Sequence, residues 1–136
     1  MKEDSDMALK RAVIVEDIRQ IRDLVHIALN SFGIDDIAEA GNGEEALAAL
    51  RDGGADIVIM DWKMEVMDGL ECARRIRAGI DGINPRLPIV LLTSMGGKES
   101  EAAAYAAGVD HFMEKPFSLR SLNAGVAKVL GLAAAR

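Results

Sequence analysis

Acids, a hydroxyl and a lysine follow the apolar runs of this chain at the points where strands would end. Glu16 and Asp17 come directly after Ala12-Val13-Ile14-Val15, and Asp61 directly after Ile57-Val58-Ile59-Met60. Thr93 and Ser94 follow Ile89-Val90-Leu91-Leu92, and Lys115, with Pro116 behind it, follows the weaker run His111–Met113. Three carboxylates in one pocket repel one another, so without a counter-charge at least one must hold a proton. A hard divalent cation answers that demand: Mg2+ takes oxygen ligands, keeps several waters and accepts phosphate oxygens, and Mn2+ is an alternative. A carboxylate beside such an ion can act as a nucleophile toward phosphorus, as in aspartyl-phosphate chemistry. Metal and ammonium then stabilise the equatorial oxygens of the transferring group, and a threonine hydroxyl can bind one of them.

Such a pocket requires a frame that brings four strand ends to one edge. The three strong runs are continuous and rich in β-branched residues rather than alternating, which fits parallel strands covered on both faces. Weaker strands are expected at Ile37–Ala40 and His111–Met113. Between them, Ile18, Ile21, Val25, Ala28, Leu29 and Phe32 share one helical face that ends at Gly33. Asn42 can cap a second helix with Ala46, Leu47 and Leu50 inward, stopped by Gly53-Gly54. Leu70–Ala78 and Lys98–Ala107 give a third and a fourth, and Leu119, Leu122, Val126, Val129 and Leu130 form the stripe of a fifth. Five β-α units predict an α/β doubly wound sandwich with helices on both faces of an open parallel sheet. Ligands bind such sheets beyond the carboxyl ends of the strands, where the strand order reverses. Gly79–Leu87 reads as a surface insertion before the fourth strand.

The chain has 136 residues, enough for one domain, and is 50% hydrophobic but only 4% aromatic, so its core is aliphatic. A net charge of −6 without a basic block argues against nucleic acid as a direct partner. The single cysteine, Cys72, reads as a small helix residue, which excludes a disulfide framework and points to a cytoplasmic setting. No apolar stretch reaches the roughly 20 residues that span a bilayer, so no membrane partner is expected. Residues 1–9 are expected as a loose tail, with Met7 a candidate for the natural start, 10–132 as the domain, and 133–136 as a C-terminal tail.

The segments VIVED, IVIMDWKMEVMDGLE, IVLLTS and FMEKPF together resemble the receiver domain of two-component response regulators, CheY-like single-domain members above all. The resemblance runs from about Arg11 to Leu130. It implies a flavodoxin-like (βα)5 fold with strand order 2-1-3-4-5. It also implies that Asp61 is the phosphoacceptor, fed by a phosphohistidine on a sensor histidine kinase or histidine phosphotransfer protein. Asp17 would bind the metal directly, Glu16 mainly through water, and the backbone carbonyl of Lys63 would complete the protein's share alongside Asp61. Thr93, next to Ser94, would bind the phosphoryl group and draw its loop inward. Lys115 would pair with the phosphoryl charge, Lys115–Pro116 would be cis, and Phe112 would be the aromatic that turns inward. An effector protein would then dock on the fourth helix, fifth strand and fifth helix, the chain being a monomer or a phosphorylation-dependent dimer. Catalysis would be limited to the chain's own phosphorylation and dephosphorylation, and the chain could equally serve as a relay or sink.

Plainer readings stand beside these. Asp17 can cap the first helix and Asp68 the third; Glu65 and Glu71 read as solvated acids, and His26 and His111 as structural or surface residues. Glu65 stands where the family often has proline, so a looser loop is expected after Asp61. The Lys63 ammonium either reaches the phosphoryl group or faces solvent. Two other functions stay open: a metal-dependent phosphohydrolase with an aspartyl nucleophile, and a receiver cut from a larger regulator. The phosphohydrolases usually carry a second acid where Lys63 stands. A nucleotide or flavin site is weak, because no glycine-rich phosphate loop follows the first strand.

Overall fold

The computed structural model describes residues 10–135, with side chains to residue 131. The tail expected at 1–9 lies outside the described residues, as does Arg136. Five strands form one parallel sheet: β1 (Arg11–Val15), β2 (Asp36–Glu39), β3 (Ile57–Asp61), β4 (Ile89–Thr93) and β5 (His111–Glu114), in the order β2-β1-β3-β4-β5. The helices are α1 (Arg19–Ser31), α2 (Gly43–Gly53), α3 (Gly69–Arg77), α4 (Lys98–Ala106) and α5 (Leu119–Ala135). The backbone of α5 thus runs on into the segment expected as a C-terminal tail. Among the described residues, no helix is long and apolar enough to cross a membrane.

Successive strand residues face opposite sides of the sheet, so each apolar run feeds two cores. Val13, Val15, Val58, Met60, Ile89, Leu91 and Phe112 pack with residues of α2, α3 and α4. Ala12, Ile14, Ile57, Ile59, Val90, Leu92 and Met113 pack with α1 and α5. Burying both faces explains why these strands lack polar alternation. Each fully buried Ile or Leu contributes about 1.5–3 kcal/mol to stability.

Asn42 caps α2 by accepting from Glu45 N, and Glu45 Oε1 in turn accepts from Gly41 N. Asp68 caps α3 by accepting from Glu71 N at 2.9 Å. Gly69 is required behind it, because a Cβ there would lie 2.6 Å from both Asp61 O and a Leu91 methyl. Glu71 is engaged rather than merely solvated: Arg75 and Arg74 lie 3.0 and 3.5 Å away, and the Arg75 bond holds its carboxyl below the usual range. Cys72 is buried, with burial pushing its thiol up to about 12.

The segment Gly79–Leu87 is more than a surface insertion. It carries a 3-10 turn (Ile80–Gly82) and buries Ile83 and Leu87 in the core on the α3 side. Arg77 ties it down by donating to Pro85 O and Leu87 O, while reaching Gly108 O and Asp110 on the other side.

Candidate functional site

The register of the sheet brings the candidate residues to one level. Val15 pairs with Met60, so Glu16 and Asp61 are next in line on neighbouring strands. Asp61 pairs with Leu92, so β4 runs one residue beyond β3, and Thr93 pairs with Glu114, so β4 and β5 end level. Thr93 thus ends β4 at the same edge as the acids, and Lys115, one residue past Glu114, reaches them there. The opening at that edge lies above β1 and β3, where the strand order reverses. It is a cleft of ≈ 940 Å³ lined by Glu16, Asp17, Asp61, Trp62, Lys63 and Met95, among others.

One oxygen from each of Glu16, Asp17 and Asp61 lies within 4.8 Å of the others. Lys115 Nζ bridges two of them, at 2.8 Å from Glu16 Oε1 and 3.1 Å from Asp61 Oδ2. Burial raises the Glu16 carboxyl above the ordinary range, the Lys115 ammonium opposes this, and the Asp61 charge adds to the rise. Burial likewise raises Asp61, against Lys115 and with Asp17 adding to the rise. For Lys115, burial works to release the proton, but the bonds from Glu16 and Asp61 prevail and raise its pKa. The pocket thus has more negative charge than its lysine neutralises, and its donors are all oxygen, which fits a hard divalent cation.

Glu16 is 4% exposed, and its second oxygen accepts from Ile18 N at 3.0 Å. This corrects the expected cap: Ile18 is the N-cap of α1, and Glu16 rather than Asp17 supplies a carboxylate there. Asp17 is exposed on the cleft wall. Lys63 lines the cleft with an exposed side chain. The loop expected to be loose at Glu65 is closed by Met67 N donating to Glu65 O at 2.7 Å and Gly69 N to Trp62 O at 2.8 Å. Thr93 is buried and its Oγ1 accepts from Met95 N at 2.9 Å, whereas Ser94 is exposed. Lys115–Pro116 is cis. The Phe112 ring is already inside the core on the α4 side.

A family profile described as "Response regulator receiver domain" matches residues 12–127. This chain belongs to that family. The receiver domain is 34% identical over 123 residues to the chemotaxis protein CheY1 of Helicobacter pylori strain J99, covering 89% of this chain and 97% of that one. It is 33% identical over 124 residues to the phosphate regulon transcriptional regulatory protein PhoB of Pseudomonas aeruginosa. That match covers 91% of this chain and 53% of PhoB, so the chain spans about half the length of that relative. Among solved structures, the receiver domain of the sensor histidine kinase PA1611 of Pseudomonas aeruginosa PAO1 matches with a TM-score of 0.75 at 26% identity. The match covers 91% of this chain and 99% of that one, which holds a magnesium ion coordinated in its active site cleft. Members of the family are switches of two-component signalling, and the fold found here is the flavodoxin-like one.

The cleft of this receiver domain has further walls that sequence reasoning passed over. Arg22 and Glu39 line it, as does Trp62. Arg22 Nη1 donates to Glu16 O at 3.1 Å, and its Nε lies 3.7 Å from Glu39 Oε2. His26 Nε2 lies 2.6 Å from the same Glu39 oxygen, so that histidine is structural. The signal was present: Arg22 stands one helical turn and a residue beyond Asp17, and Trp62 follows Asp61 directly. His111 is half-buried against α5, and burial pushes its pKa down.

Proposed function

We propose that this receiver domain is a phosphorylation-operated switch in which Asp61 accepts a phosphoryl group from a phosphohistidine on a sensor kinase or phosphotransfer protein. One observation carries the reading: Lys115 Nζ bridges Glu16 and Asp61, with Asp17 completing a cluster of carboxylate oxygens within 4.8 Å. An Asp61 oxygen forms the new O–P bond as the N–P bond of the phosphohistidine breaks, and the bonding pair stays on the imidazole nitrogen. Glu16, Asp17, Asp61 and the main-chain carbonyl of Lys63 would hold Mg2+, or Mn2+ in its place, and the ion supplies positive charge to the phosphoryl oxygens.

Lys115 orients Asp61 before transfer and pairs with the phosphoryl charge after it. The Thr93 hydroxyl leaves Met95 N for a phosphoryl oxygen and, with Ser94, draws the β4–α4 loop inward, toward a Phe112 ring that already lies in the core. Converting such a switch from mostly off to mostly on takes about 5.5 kcal/mol of preference, which a dianion held by lysine, hydroxyl and metal can supply. The surface of α4, β5 and α5 then changes for an effector protein, or the phosphoryl group is passed on in a relay.

Mass spectrometry after incubation with a small-molecule phosphodonor and Mg2+ tests this. Wild type gains a single phosphoryl group and Asp61→Asn gains none. An adduct that survives the substitution overturns the assignment. Turnover of many equivalents of a phosphate ester would make the protein a phosphohydrolase instead.

A further inference from the structure

The carbonyl of Glu16 has left the sheet. The β1–β2 ladder ends with Ala40 N donating to Ile14 O, and the next carbonyl on that side, Glu16 O, is taken by the Arg22 guanidinium at 3.1 Å. Two bonds therefore stitch this corner in opposite directions, since Glu16 Oε2 accepts from Ile18 N. Asp17 lies between them, and its carboxylate takes part in neither bond. The peptide joining Glu16 to Asp17 is planar and carries that carbonyl. Holding the oxygen fixes the plane, and with it the position of the Asp17 Cα from which that side chain leaves the backbone. Arg22 is itself held on the far side by Glu39, whose oxygen is shared with His26.

We infer that Arg22 is a positioning residue for the acid cluster: its grip on Glu16 O sets Asp17 at the distance from Glu16 and Asp61 at which one divalent cation can bridge them. The inference rests on the cation site proposed above. Position and charge act with opposite signs here. A guanidinium near a cation site repels the ion, so removing it on electrostatic grounds alone would tighten binding, by about two- to threefold once solvent screening is counted. Losing the group that orients a ligand weakens binding, by about tenfold or more.

Mg2+ titrations of the full chain, read by calorimetry and by fluorescence of Trp62 in the cleft wall, separate the two. Arg22→Met is expected to bind Mg2+ about tenfold more weakly, with the metal-free unfolding midpoint little changed. Arg22→Lys keeps the charge but not the planar fork and is expected about threefold weaker than wild type. Unchanged or tighter binding by Arg22→Met overturns the inference. Should Arg22→Met not fold, an Arg22→Lys affinity equal to wild type does the same. Absence of Mg2+ binding by wild type would instead overturn the cation site on which the inference rests.

Discussion

The hydroxyl of Tyr105 on α4 accepts a hydrogen bond from the backbone N–H of Phe112 on β5, at 3.3 Å. β5 is an edge of the sheet, and edge strands present backbone groups with no strand to pair them. The bond covers one such group and ties down a helix with few other anchors. Among the residues of α4 only Ala104 is buried, and its N-cap, Gly97, offers no side-chain bond. Tyr105→Phe is expected to cost about 0.5–1 kcal/mol of global stability. Its larger effect is local: hydrogen exchange at the Phe112 amide, measured by NMR, should quicken more than exchange elsewhere in the sheet. An unchanged rate at Phe112 would refute the role given to this hydroxyl.

The acid cluster sets the pH dependence of the metal-free protein. Glu16 and Asp61 hold their protons more tightly folded than unfolded, chiefly through burial. The folded state then binds more protons in the window above their ordinary values, so stability falls as pH rises through that window. Asp61→Asn removes one of the two groups and is expected to raise the metal-free thermal midpoint at neutral pH by about 3 °C. The two midpoints should converge as the pH is lowered toward the ordinary carboxyl range; a gap that widens there would reverse the sign argued here.

Lys115→Met leaves the buried Glu16 carboxylate without its cation. The expected loss is about 2–3 kcal/mol by urea denaturation, since an unpaired buried charge is costly. Protonated Glu16 needs no cation, so the loss should be smaller in acid than in weakly alkaline solution. Equal losses at both pH values would show that packing of the lysine stem, not charge, is responsible.

Arg77 holds three backbone carbonyls and Asp110, all between 2.7 and 2.9 Å. Arg77→Lys keeps the charge but cannot reach these acceptors as a planar fork. A loss of about 2 kcal/mol is expected, seen as a lower urea midpoint with the slope of the transition unchanged.

Val66 stands in the loop after Asp61 with φ 71° and is 74% exposed. A β-branched residue in that region is strained, and here its side chain gains little from packing. Val66→Gly releases the strain at the cost of a freer unfolded chain. The balance is expected to stabilise the protein by about 0.5–1 kcal/mol, checked by thermal unfolding.

Much of this molecule is legible in its sequence. The apolar runs at Ala12–Val15, Ile57–Met60 and Ile89–Leu92 became strands because both faces of each are covered, and residues placed just beyond such runs must emerge at the carboxyl edge. That is why Glu16, Asp61, Thr93 and Lys115 could be grouped from spacing alone. Caps read from local chemistry also held where donor and acceptor are three residues apart, as at Asn42 and Asp68. Local reasoning failed at Asp17, where the neighbouring Glu16 took the bond to Ile18 instead.

The sequence by itself determined which residues end each strand and which chemistry their side chains can perform, because hydrophobic periodicity and side-chain type are local properties. Only the tertiary structure decided how those groups are paired. It put Lys115 between Glu16 and Asp61, turned Ile83 and Leu87 inward beneath Arg77, and gave the carbonyl of Glu16 to Arg22. Such bonds depend on distances across the sheet and between layers, which the register and packing of the whole chain set and no short stretch encodes.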